Sequence, residues 1–202
     1  HGQVVQKFQD AASPGDKGET PTKVQKVPFI EGLEAFVLVL DALGGGMGAY
    51  LLANTTKLRN SKAPSASGNY CEWLLSELPV HGATNYKSYV DDSAWMANLW
   101  IAWTLEFFVE LFAQLNHGGG TAESARSAYK TTLSQHHNFL QRNAFNQAIK
   151  KLPERRELFM KLQGEGKADD VARDAADFVI LGRPLVHYCL EMNRTVERLL
   201  KE

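Results

Sequence analysis

The chain lacks the features of a disulfide-stabilised secreted domain and of a polyanion-binding protein. In 202 residues it has two cysteines, and 22 basic against 23 acidic residues leave a formal net charge of -1. A charge this balanced provides no overall field to attract nucleic acid or an anionic membrane. Two cysteines are too few for a disulfide framework, so we expect a reduced, cytoplasmic setting, with a single bridge between Cys71 and Cys189 as the alternative.

Long uninterrupted apolar runs and the usual enzyme signatures are also missing. The most apolar stretch, residues 93–115, is broken by Asn98, Thr104, Glu106 and Glu110, whereas a helix that spans a bilayer needs roughly 18 to 20 predominantly apolar residues. We therefore expect a core helix here and not a membrane span. The chain has no GxSxG, no glycine-rich phosphate loop after a strand and no HExxH motif, so no signature points to an enzyme.

The six histidines do not form a metal-binding pattern. His136 and His137 are adjacent, so on a helix they would point about 100° apart, and no Cys, Asp or Glu at ligand spacing joins them. We expect neither a metal nor another cofactor. Asp91 and Asp92 open a predicted helix, where carboxylates more often complement the helix dipole than act as acid and base. An enzyme that uses His137 with one of these carboxylates is a minor alternative.

What the chain does have is helical periodicity over almost its whole length. We predict an all-α protein of about eight helices in one domain, residues 23–202, preceded by a flexible, polar segment over residues 1–22. Glycine, proline and capping residues mark the ends of the predicted helices, which cover residues 27–44, 47–60, 70–78, 91–116, 121–152, 154–162 and 168–200.

Aromatic residues are concentrated on two of these helices. An ordinary aromatic core is the simpler interpretation. With ten Phe, six Tyr and four Trp, however, the chain has apolar volume to spare for an internal pocket. An all-helical protein with such a pocket and a few polar groups at its mouth could hold a lipid. The clustered rings are Trp95, Trp100, Trp103, Phe107, Phe108 and Phe112 on the most apolar helix, and Tyr129, Phe139 and Phe145 beside His137 on the next one.

Two segments near the N-terminus resemble the glycolipid transfer protein family, which includes ceramide-phosphate-binding relatives. Residues 27–44, VPFIEGLEAFVLVLDALG, are similar to that family's first core helix, which begins with a Pro-Phe pair and ends with Asp-x-Leu-Gly. Residues 50–60, YLLANTTKLRN, are similar to its head-group segment, Asp-x-x-x-Asn-x-x-Lys, where Asn54 and Lys57 match. Tyr50 stands at the Asp position and departs from the pattern.

Two later segments resemble the same family. In NLWIAWTLEFFVELF, Trp100 takes the position of the tryptophan that glycolipid-binding members place against the sugar. In AYKTTLSQHHNFLQRNAF, His137 takes the position of the head-group histidine, Phe139 that of a membrane-contacting aromatic residue and Phe145 that of a residue lining the chain pocket. We expect Phe107 to line the same pocket. The resemblance covers roughly residues 27–200.

The resemblance implies a two-layer helical sandwich that carries a lipid between membranes without chemistry. Burial of each CH₂ group is worth about 0.8 kcal/mol, so an apolar pocket is needed to carry the chains of a ceramide-like lipid through water. Trp100 would face the sugar ring, while Asn54, Lys57 and His137 would hydrogen-bond the polar head. Tyr50, which is neutral and bulkier than the family's Asp, would alter or narrow the sugar site.

The head group is expected to be a sugar and not a phosphate. In the phosphate-binding branch of the family the Asn position is Lys and the Trp position is Arg, with another Arg one turn later, whereas this chain has Asn54, Trp100 and Thr104 there. A carrier of ceramide phosphate or another sphingolipid, and a helical interaction module that has lost lipid transfer, are the alternatives. We expect a monomer whose partners are a lipid and, transiently, a membrane surface, without nucleic acid.

Overall fold

A computed structural model of the chain describes residues 2–12, 19–43, 46–78, 92–163 and 167–199. Within these ranges the protein is helical, and the only extended pairing consists of two isolated antiparallel bridges, Ala12 with Val24 and Gln25 with Asn69. The prediction of an all-α protein is confirmed. The helices are α1 (Gly2–Ala11), α2 (Lys26–Leu43), α3 (Met47–Arg59), α4 (Tyr70–Leu75), α5 (Ala94–Asn116), α6 (Thr121–Thr131), α7 (Phe139–Ile149), α8 (Arg155–Gln163) and α9 (Ala168–Leu199), with a 3-10 turn at Leu133–Gln135.

Helix α5 forms the centre of the core. It packs against α3, α6 and α9, and buried side chains occur on every turn from Ala94 to Leu115. By length and composition it is the one helix of the described ranges that could cross a membrane, but 67% of its most apolar stretch is buried inside the protein. The structure therefore places it as a core helix, as predicted.

The start of α5 is set by a cap and by a distant carboxylate. Ser93 is the N-cap residue, and its hydroxyl accepts a hydrogen bond from a backbone N–H of the first turn at 3.1 Å. The buried carboxylate of Glu77 accepts another from the Ala94 N–H at 2.7 Å. Negative charge stabilises the positive end of a helix, and Glu77 supplies it here. Asp92, predicted for this role, is exposed, and Asp91 lies outside the described residues.

The N-terminal segment contains a packed helix. Residues 2–11 form α1, which buries Val4, Phe8 and Ala11 and packs against α2 and α9. These positions follow i, i+4, i+7 spacing, which is typical of an amphipathic helix. The expectation of a flexible segment over residues 1–22 is therefore wrong for α1, because its apolar stripe provides enough burial to hold it on the core.

The helix predicted over residues 121–152 is interrupted. Helix α6 ends at Thr131, and α7 begins after Asn138. The Asn138 side chain accepts a hydrogen bond from the Gln141 N–H at 2.9 Å, and the Gln141 side chain accepts one from the Asn138 N–H at 2.8 Å, which together form a capping box. His137 consequently lies in the connection between two helices and not on a helix face.

Both cysteines are free thiols. Burial raises the pKa of the Cys189 thiol to about 12, and burial also raises the pKa of Cys71. A thiol with a raised pKa is a poor nucleophile, because the thiolate is the reactive form. Because neither sulfur forms a disulfide, the alternative of a single bridge between Cys71 and Cys189 is wrong for this structure.

Candidate lipid-binding site

A cavity of about 200 Å³, here called the apolar cavity, lies between α3, α5 and α7. Its wall includes Phe107 of α5 and Phe145 of α7, the two residues predicted to line a chain pocket. Tyr50, His137 and Gln141 contribute polar groups to the same wall. The remaining lining residues are Gly46, Met47, Thr104, Phe108, Leu133, Ala144 and Ala148.

Tyr50 and His137, which line this cavity, form an aromatic triangle with Trp100, which does not line it. The ring centroids are 6.0 Å apart for Tyr50 and Trp100, 5.9 Å for Trp100 and His137, and 6.4 Å for Tyr50 and His137. The three residues come from α3, from α5 and from the connection before α7, so the fold brings together side chains that are far apart in sequence. Tyr50 is 47% exposed, which leaves the triangle open to solvent on that side.

His137 is buried and oriented by Tyr129 of α6. The Tyr129 hydroxyl lies 2.9 Å from His137 Nδ1, and the Tyr129 ring stacks on Phe145 with centroids 4.2 Å apart. Burial lowers the pKa of the His137 imidazole, and the charges of His136 and Arg142 lower it further. The imidazole is therefore neutral near neutral pH, with one ring nitrogen engaged by Tyr129.

Asn54 and Lys57 lie one turn apart on α3 but have different surroundings. Asn54 is 4% exposed, and its Nδ2 donates a hydrogen bond to the Tyr50 carbonyl oxygen at 3.0 Å. Lys57 lines a second groove of about 400 Å³, whose wall also includes Glu77 and Asp92. Asn54 is thus joined to the aromatic triangle through the backbone of Tyr50, whereas Lys57 lies on the neighbouring groove.

An exposed apolar pair begins α7. Phe139 is 74% exposed and Leu140 is 75% exposed, and Arg142 follows on the same helix. Across α7, all of which is described, Ile149 is the one fully buried residue. Phe139 therefore lies outside the apolar cavity, on a helix that is held to the rest of the protein by few buried side chains.

Sequence reasoning missed two contacts at the site. Gln141 Nε2 donates a hydrogen bond to the Tyr50 hydroxyl at 2.9 Å, which joins α7 to α3. The rings of His136 and Trp103 stack with centroids 3.6 Å apart, and burial lowers the pKa of His136. The Asn-x-x-Gln spacing before α7 was the available signal for the role of Gln141 as a capping residue, but its contact with Tyr50 had no sequence signal.

Metal ligands do not converge in the parts of the chain that the structure describes. No group of three or more His, Cys, Asp or Glu side chains there could hold a metal ion. The polar side chains that line the apolar cavity are the phenol of Tyr50, the imidazole of His137, the amide of Gln141 and the hydroxyl of Thr104. What this arrangement can do chemically is form neutral hydrogen bonds with one part of a ligand while apolar walls surround another part.

Comparison with known proteins gives one consistent result. Residues 24–164 match the family model described as glycolipid transfer protein (GLTP). A glycolipid transfer protein of Aureobasidium melanogenum is 28% identical over 159 residues, which cover 75% of this chain and 72% of that protein. Glycolipid transfer protein 1 of Arabidopsis thaliana is 24% identical over 169 residues, covering 81% and 80%. The crystal structure of apo mouse ceramide-1-phosphate transfer protein superimposes with a TM-score of 0.76 at 17% identity, covering 98% and 96%.

Proposed function

The chain belongs to the glycolipid transfer protein family, and on that premise we propose that it binds a glycosphingolipid-like lipid and moves it between membranes without chemistry. The observation that carries the proposal is the apolar cavity with polar groups on its wall. The relatives in Aureobasidium melanogenum and Arabidopsis thaliana are glycolipid transfer proteins by name. A lipid has the same division into a polar head and apolar chains.

The acyl and sphingoid chains would lie in the apolar cavity, against Phe107 and Phe145. These rings meet edge to face with centroids 5.1 Å apart, and Phe107 is completely buried. Each CH₂ group taken out of water there would contribute about 0.8 kcal/mol. Affinity would therefore come mainly from the chains, and the polar groups would provide selectivity.

The sugar would bind at the aromatic triangle. Trp100 would offer an apolar ring face, and His137 and Tyr50 would supply hydrogen-bonding groups from the cavity wall. Asn54, which is bonded to the Tyr50 carbonyl, and Lys57 on the neighbouring groove would be further head-group contacts. None of the residues that line the described cavity is Lys or Arg, whereas phosphate recognition is favoured by such cations. This composition supports a sugar over a phosphate head group.

Membrane contact would be peripheral and transient, through Phe139 and Leu140. A short apolar pair beside Arg142 would enter the interface weakly, which a shuttling carrier requires because tight anchoring prevents release. We infer a cytoplasmic carrier that acts as a monomer, a setting in which its two thiols stay reduced.

The experiment that tests this function measures transfer of labelled lipids from donor to acceptor vesicles. Galactosylceramide, ceramide phosphate and phosphatidylcholine are run in parallel. We expect transfer of galactosylceramide in preference to the other two. Transfer of ceramide phosphate alone would keep the lipid-carrier function but contradict the sugar assignment, and no transfer of any lipid would contradict the function.

Trp100→Ala tests the sugar site within the same assay. We expect it to remove the preference for galactosylceramide over phosphatidylcholine, because the ring face against the sugar is lost. Trp103→Ala is the matched control, since Trp103 contacts the Trp100 ring at 5.1 Å between centroids and stacks on His136 but is not part of the aromatic triangle. Far-UV circular dichroism must stay unchanged in both variants. Equal loss of preference in the two variants would contradict a specific role for Trp100.

A further inference from the structure

The hydrogen bond between Gln141 and Tyr50 has a direction that its surroundings determine. The Gln141 side chain has two partners: the Asn138 backbone N–H at 2.8 Å from its Oε1, and the Tyr50 hydroxyl at 2.9 Å from its Nε2. A backbone N–H can only donate, so the atom facing Asn138 must be the carbonyl oxygen of the amide. The NH₂ group must therefore face Tyr50.

It follows that the Tyr50 hydroxyl acts as an acceptor toward Gln141. A phenol has one hydrogen to donate, and that hydrogen must point away from the amide that is donating to it. Tyr50, His137 and Gln141 line the same wall of the apolar cavity, and Tyr50 is 47% exposed. The Tyr50 hydrogen is thus available at the mouth of the cavity.

We propose that Tyr50 donates this hydrogen to an oxygen of the lipid head group, and that Gln141 is the positioning residue that sets the direction of the Tyr50 hydroxyl. The proposal rests on the lipid-binding function proposed above and adds a selectivity element to it. We take the ligand atom to be an acceptor oxygen of the sugar, a group that ceramide lacks.

The capping box fixes the direction of the hydrogen bond between Gln141 and Tyr50. Asn138 and Gln141 exchange two hydrogen bonds, 2.8 Å and 2.9 Å long, at the first turn of α7. Rotating the Gln141 side-chain amide by 180° would place its NH₂ group against the Asn138 N–H, and the hydrogen bond from that N–H would be lost. The helix start therefore holds the amide in the orientation that leaves the Tyr50 hydrogen available.

Two substitutions test the proposal through equilibrium binding of galactosylceramide and of ceramide. Tyr50→Phe removes the hydroxyl and keeps the ring. Gln141→Glu keeps a capping box, because a Glu carboxylate also accepts from the N-cap N–H, but its second oxygen accepts from Tyr50 and so takes up the phenolic hydrogen. We expect each variant to lower the affinity for galactosylceramide about two- to tenfold, the range for one net hydrogen bond, and to leave ceramide binding unchanged.

The double variant Tyr50→Phe with Gln141→Glu distinguishes this mechanism from an effect of the added charge. Without the hydroxyl, Gln141→Glu should cause no further loss. Gln147→Glu adds the same charge to an exposed position of α7 and should leave affinity as in wild type. Both results are required by the proposal.

Three outcomes would overturn it: unchanged galactosylceramide affinity in Tyr50→Phe, an equal loss for ceramide, or a full Gln141→Glu effect in the Tyr50→Phe background. Each of these assumes that the wild-type chain binds lipid. If wild type binds neither lipid, the proposed function fails instead, so the two failures are distinguishable. Thermal unfolding of all variants verifies that the fold is retained.

Discussion

At the scale of single residues, burial determines the charge of the imidazoles at the site. His137 is 7% exposed and contacts Tyr129 through Nδ1, while His136 stacks on Trp103. Both histidines have a pKa below the ordinary value, mainly because burial penalises the charged form. A neutral His137 can serve as either a donor or an acceptor at Nε2, whereas a protonated one could only donate.

The lowered pKa values of His136 and His137 predict a loss of stability in mild acid. Between the folded-state pKa and the unfolded value of about 6.5, the unfolded chain binds more protons, so the free energy of unfolding falls as pH decreases through that window. We expect the melting temperature to fall between about pH 7.5 and about pH 5.5. The fall should be smaller in His136→Gln and in His137→Gln, because each removes one of the linked groups.

The measurement is thermal unfolding at both pH values. For each variant, the difference in melting temperature between the two pH values is compared with the same difference in wild type. His117→Gln is the control, since His117 is exposed. If both site variants kept the full wild-type pH dependence while losing only absolute stability, the linkage to His136 and His137 would be wrong.

At the scale of elements, α7 combines a firm start with a loosely packed body. Its first turn is held by the capping box, and its side chain at Gln141 reaches Tyr50 on α3. Its body buries only Ile149 among the described residues, although Phe145 reaches the apolar cavity. An element with few buried side chains opens at low free energy, so α7 is the wall of the cavity that can move most readily.

Phe139→Ala should slow lipid transfer between vesicles more than it weakens equilibrium lipid binding. The residue is 74% exposed and does not line the described cavity, so if Phe139 makes the proposed membrane contact, its removal would weaken that contact and leave the lipid site intact. The measurements are transfer rate from vesicles and affinity for soluble short-chain lipid, made on the same preparation.

Met160→Ala provides the matched control for this substitution. Met160 is another exposed apolar side chain, 61% exposed, but it lies on α8. We expect it to leave both transfer and affinity at wild-type values. If Phe139→Ala reduced affinity as much as transfer, Phe139 would belong to the lipid pocket and its assignment to the membrane surface would fail.

The elements differ in how well their sequences predict them. Helix α5 is predicted by its apolar composition and by Ser93 at its start, and α3 by the glycine at its start. Helix α1 is amphipathic but short, and because its neighbours are polar the sequence predicts a flexible segment there. The break at Asn138 was missed because the apolar period continues across it. Tyr50, Trp100 and His137 are assigned to one head-group site by the family resemblance, but the distances of 5.9 to 6.4 Å between their rings depend on the packing of separate elements.

At the scale of the whole molecule, the close approach of its two longest described helices holds the architecture together. Gly182 of α9 faces Val109 of α5, and a Cβ at Gly182 would lie 2.6 Å from Val109 Cγ2. The Asn98 Nδ2 of α5 also donates a hydrogen bond to the Cys189 carbonyl oxygen of α9 at 3.3 Å. These contacts leave no room for a side chain at Gly182, so the absence of one there sets the distance between the helices.

Gly182→Ala should therefore lower the free energy of unfolding by about 1–3 kcal/mol from overpacking, offset by up to about 1 kcal/mol because alanine favours the helix. In a Val109→Ala background the clash is absent and only the helix-favouring effect remains. Urea unfolding of wild type, both single variants and the double variant measures the coupling free energy between the two positions. We expect the double variant to be more stable than the sum of the single effects by about 1 kcal/mol or more. Additive single effects would mean that the contact between Gly182 and Val109 does not set the distance between α5 and α9.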